Sequence, residues 1–133
     1  MTSAQTALDA LVAAFATDWL RLEELQIALR VVADPILVLS ADGAVPVPRP
    51  GFLAAITARS AAVDEAGESI TTLSSATAQP LGDRMVLATI SWIFTRGDSS
   101  TTLVSDFLLQ REGPHGLRCV AYLPRTNVLD HVD

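Results

Sequence analysis

The chain has 133 residues, half of them hydrophobic and 18% charged, with a formal net charge of −6. This is the length of one domain, 1–133, with enough apolar material for a core, and its acidic balance disfavours nucleic acid, whose phosphates need a basic surface. All nine basic residues are arginine, which excludes a Schiff-base lysine and a P-loop lysine.

From the N-terminus, Thr2-Ser3-Ala4-Gln5 has the form of a capping box. Leu8, Leu11, Val12, Phe15, Trp19 and Leu22 then recur at three- and four-residue steps, the apolar face of a helix. No basic stretch precedes this run and Asp9 interrupts it, so no signal peptide is expected. Asp18 marks a break, and Leu22 to Asp34 reads as a second helix. Pro35 biases Asp34 away from helical geometry, so this helix is predicted to stop near Ala33. Ile36 to Ser40 is a short apolar strand, and "ADG" supplies the turn into a second arm, "AVPVP". In that arm Pro46 and Pro48 remove donors from one edge only. Val45 and Val47 keep theirs, aimed at the first strand, so the arm predicts a protected edge. The prolines are spaced by two and form no P-x-x-P ligand. Pro50 opens a third helix, with Leu53, Ile56 and Val63 on its apolar side and Gly67 at its end.

Beyond Gly67 the chain turns to Thr, Ser, Val and Ile. Four strands are predicted, Ser69 to Gln79, Arg84 to Arg96, Thr101 to Arg111 and Leu117 to Leu123, joined by hairpin turns into an antiparallel meander. The second of these carries Val86, Ala88, Ile90, Trp92 and Phe94 on one face. Its other face holds Met85, Leu87, Thr89, Ser91 and Ile93. Neither face is polar enough for water, so both are expected to be covered: one by helices, the other by a second copy in a homodimer. The one cysteine, Cys119, lies in an apolar strand run and reads as a buried thiol in a reducing, cytoplasmic setting. No apolar run of about 18 residues exists, so no membrane contact is expected.

Three helices, a short hairpin and a four-stranded meander resemble the nuclear transport factor 2-like superfamily, in particular its SnoaL-like polyketide cyclase and ketosteroid isomerase branch. The resemblance rests on "FATDWLRLEELQIALRVVADPILVLSADG", "RPGFLAAI" and "VSDFLLQREGPHGLRCVAYL", and covers nearly the whole chain. It implies an α+β fold, with three N-terminal helices packed in the concavity of a curved, mostly antiparallel sheet. This is a cystatin-like cone with a short edge hairpin, and an apolar pocket at its open end. Two function classes follow. One is a cofactor-free lyase, isomerase or cyclase acting on a small hydrophobic molecule. The other is a non-catalytic ligand-binding or dimerisation module.

The isomerases of that branch use a tyrosine on the first helix, a base on the first strand and an acid on a later strand. Here the first position falls near Phe15, which has no hydroxyl. The second falls in Leu37 to Ser40, where there is no carboxylate. The third matches Asp106, by alternation on the strand face of Val104 and Leu108. Asp106 is the candidate catalytic acid, either a pocket carboxylate or an ion-pair partner of Arg84 or Arg96, or a contact at the dimer interface. Tyr122 is the candidate hydroxyl at the cone mouth. Phe15, Trp19, Trp92 and Phe107 are candidate pocket-lining residues. Asp34 reads as a turn former. His115 and His131 have no partner at metal-ligand spacing, so no metal site is expected, and a pair of His131 with Asp130 reads as a solvated tail. No Gly-rich phosphate loop or catalytic signature is present.

Overall fold

The computed structural model describes residues 3–113 and 116–125. The capping Thr2, His115, Asp130 and His131 lie outside the described residues. The elements follow the predicted order: α1 (Ser3–Trp19), α2 (Leu25–Val31), β1 (Val32–Ser40), β2 (Gly43–Val47), α3 (Arg49–Glu65), β3 (Ile70–Leu81), β4 (Met85–Arg96), β5 (Ser99–Arg111) and β6 (Leu117–Pro124). Among the described residues no helix is long and apolar enough to cross a membrane.

The strands form one sheet in the order β2-β1-β6-β5-β4-β3. β3 to β6 are an antiparallel meander, and β1 closes it by pairing parallel to β6. The three helices pack on one face, giving an α+β cone. Its core runs from Leu8, Val12 and Phe15 of α1 to Val86, Ala88 and Ile90 of β4 and Leu103, Phe107 and Leu109 of β5. Alternation along β4 and β5 is what puts these residues on one side. Their sequence neighbours Thr89, Ile93, Val104 and Asp106 are only half-buried on the other.

Bulges interrupt the alternation in β3 and β6. In β3, Leu73 faces Trp92 while Ser75 faces Ser91, so Ser74 is an extra residue. In β6, Cys119 faces Leu109 while Ala121 faces Leu108, so Val120 is extra. Such insertions bend a strand and increase its twist, which suits a sheet wrapped round helices.

The proline arm behaves as its sequence requires. β2 lies at the edge, with Pro46 opposite Leu37 and Val45 opposite Val38. α3 then starts at Arg49 with proline inside its first turn. Two details differ from expectation. α2 ends at Val31 and the chain is already extended at Val32, before Asp34. Asp34 does more than shape a turn. Its Oδ1 accepts the backbone N–H of Arg49 at 2.9 Å, and the Arg49 guanidinium donates back to the Val32 carbonyl at 3.2 Å. A carboxylate at the first turn satisfies a donor that has no helical partner and sits favourably in the helix dipole. On α3, Phe52 takes the buried position while Leu53 and Ile56 are only partly buried.

Candidate functional site

The recess that could hold a ligand lies at the open end of the cone, between α3, the segment after α1 and the inner face of β3 to β6. It is a cavity of about 320 Å³, near the lower end of the ~300–1,000 Å³ usual for ligand sites. Trp19, Trp92, Phe94, Leu103 and Tyr122 give it apolar walls. Leu20, Leu22, Ile56 and Val63 add to them, and polar side chains interleave: Ser105, Ser69 and Thr71 from the strands and nearby loop, Arg59, Ser60 and Asp64 from α3, and Glu23 after α1. It is thus an apolar pocket with a larger polar share than expected.

Behind the cavity an aromatic cluster fills the cone. Phe107 packs edge-on against Phe15 at 5.3 Å and Trp19 at 4.9 Å between ring centres, and stacks on Tyr122 at 5.3 Å. Phe52 closes the cluster against Trp19 and Tyr122. Of the four residues expected to line the pocket, Trp19 and Trp92 do so. Phe15 and Phe107 do not: with 3% and 0% exposure they are the packed layer beneath it.

Tyr122 reaches the cavity because of the Val120 bulge. Strict alternation from Leu117 and Cys119 would send residue 122 to the opposite face. The extra residue restores it to the inner one, opposite Phe107. No regularity in the sequence announces that shift.

Asp106 is placed elsewhere. It lies on the outer sheet face and does not line the cavity. Its carboxylate accepts the Thr89 hydroxyl at 2.7 Å and a bidentate contact from Arg125, with Nη2 to Oδ1 at 2.8 Å and Nε to Oδ2 alongside. Arg125, and not Arg84 or Arg96, is therefore its partner. Partial burial pushes the Asp106 carboxyl up, but the hydrogen bonds from Arg125 and Thr89 and the arginine charge outweigh it. The net shift is below the ordinary aspartate value. Of the roles the sequence leaves open for Asp106, the structure has the ion pair, on the outer face and away from the cavity.

Sequence reasoning missed Ser105 and Arg59. Ser105 is buried at 6% exposure between Leu103 and Phe107 on the inner face of β5. Arg59 falls between Ile56 and Val63 on the α3 stripe that faces the sheet. Each is a polar residue interrupting an apolar face, and that signal was present in the sequence. Arg59 is half-buried and, among the described residues, makes no hydrogen bond or ion pair. Nearby, Arg96 donates to the Val63 carbonyl at the end of α3 and lies over the Phe94 ring, bracing the wall. Among the described residues no three His, Cys, Asp or Glu side chains converge as metal ligands would.

Solved structures with the same architecture are found at low sequence identity. A domain described as "Rd1NTF2_04 with long sheet" superposes with a TM-score of 0.59 at 11% identity, over 84% of this chain and 97% of that one. The fold is that of the nuclear transport factor 2-like superfamily. A ketosteroid isomerase-like protein from Erwinia carotovora atroseptica gives a TM-score of 0.50 at 14% identity, over 92% of this chain and 95% of its own. A protein from Novosphingobium aromaticivorans, described as the beta subunit of an aromatic-ring-hydroxylating dioxygenase, gives 0.50 at 19% identity, over 91% and 87%. No family model and no curated protein matches the sequence. At these identities the nuclear transport factor 2-like likeness establishes the fold and leaves its branches undivided.

Proposed function

We propose that this nuclear transport factor 2-like domain binds a small, largely apolar molecule in the cavity at the mouth of its cone. The observation that carries the reading is the division of the interior. Phe15, Phe52 and Phe107 fill the depth of the cone, while Trp19, Trp92 and Tyr122 stand round a space of about 320 Å³. A scaffold with a plugged cone has no use for that space. A lyase, isomerase or cyclase would need an acid and a base converging on it. Asp106 is committed to Arg125 outside, and the two acids that line the cavity, Glu23 and Asp64, are exposed, so binding is the better supported class.

A second copy against the outer sheet face belongs to the same reading. Leu87, Ile93, Val104, Leu108 and Leu123 all stand on that face, half-buried or exposed. Light scattering on the purified protein should give a dimer, and Leu108→Arg a monomer; a wild-type monomer sinks this part. The unpaired thiol of Cys119 supports a reducing, cytoplasmic setting.

Calorimetric titration with 1-naphthalenemethanol, a neutral two-ring probe, tests the binding reading. Saturable one-to-one binding is expected, and its loss in Ser105→Phe, which fills the space from the buried side. Absence of binding, or binding indifferent to Ser105→Phe in a folded variant, overturns it.

A further inference from the structure

We infer that the ligand is an anion, a small ring compound bearing a carboxylate, and that Arg59 receives its charged end. The inference rests on the binding reading above and names the class of molecule. A guanidinium carries five N–H donors in a planar fork that matches a carboxylate in two parallel bonds. Most arginines of this chain use that capacity within the protein: Arg21 on Glu24, Arg30 on Asp18, Arg118 on Glu112, Arg125 on Asp106, Arg49 and Arg96 on backbone carbonyls. Arg59 does not, although it is half-buried at the cavity wall. Acids are near it: Glu23 and Asp64 also line the cavity, yet neither lies within ion-pair distance. Both are exposed, where water and salt screen their charge.

The rest of the lining fits the same molecule. Trp19, Trp92 and Tyr122 line the space with apolar surface, and the buried Ser105 adds one hydroxyl. A bound carboxylate at the mouth lets the ring fill the apolar interior while the charge stays at the wet rim. The cavity volume suits one or two fused rings.

Three probes of equal size and different charge decide the matter: 1-naphthoate, 1-naphthamide and 1-naphthylmethylamine, titrated at pH 7 by calorimetry. Fluorescence of Trp19 and Trp92, the only tryptophans, gives a second readout. The naphthoate should bind at least ten-fold more tightly than the amide, the scale of a charge-assisted pair. Arg59→Gln should remove that preference while leaving the amide within about two-fold, and Arg59→Lys should keep part of it. Equal binding of naphthoate and amide overturns the anion inference and leaves the cavity reading intact. Tighter binding of the amine overturns it in favour of Glu23 and Asp64. Binding of none of the three overturns both.

Discussion

Asp106 and Phe107 are consecutive residues of one strand, and they belong to different environments. Phe107 is fully buried, with aromatic rings of α1 and β6 against it. Asp106 points the other way and is held by two polar partners. The inner face is thus a single apolar contact surface whose parts depend on one another. The outer face is a set of half-buried apolar residues punctuated by local polar pairs. The cavity lies on the first.

The widest gap should appear in stability. Phe107→Ala leaves a cavity among Phe15, Trp19 and Tyr122, and such truncations cost about 3–5 kcal/mol. Equilibrium urea unfolding should show a loss of that size; under 1 kcal/mol would mean that the aromatic cluster is loosely packed. Cys119 sharpens the contrast by reactivity. Burial pushes its thiol far up, against a smaller opposing pull from the Ala121 backbone. It should resist iodoacetamide at pH 8 in the folded protein and react at once in denaturant; ready labelling of the native state would place β6 differently. Asp106→Asn should have the smallest effect, and one confined by pH. The folded carboxyl titrates below its unfolded value of about 3.9. The ionised form is therefore the one that folding favours. Its contribution is present above that value and is lost as pH falls through the folded one. Wild type and variant should differ slightly at pH 7 and converge below about pH 4. A difference that persists in acid would show that charge is not what Asp106 supplies. Binding of the naphthalene probes should be unchanged in this variant.

Much of the fold was legible because local chemistry and global arrangement agree. The period-three-and-four stripe of α1, the Asp-Gly turn, the alternate prolines of β2 and the two-faced β4 each point to the place they occupy. Asp106 was legible in phase, since alternation with Val104 and Leu108 already put it opposite Phe107. What sequence could not give was its partner, because Arg125 reaches it from the end of another strand. Asp34 is similar: a turn former by its neighbours, a helix cap by a contact 15 residues away. Arg59 and Ser105 were readable as polar interruptions of apolar faces, and the cavity explains why both are there.

Val120 shows how far one residue can carry. It adds a single unit to β6, and everything C-terminal to it changes sides. Without it, Tyr122 would trade places with its neighbours and leave Phe107 unstacked. Position 120 therefore acts as a frameshift written in side chains. Two related chains that differ only by this residue would align almost perfectly letter by letter, yet turn opposite side chains inward over the last stretch of the sheet. Comparisons across this fold gain from placing gaps by strand register before placing them by residue likeness.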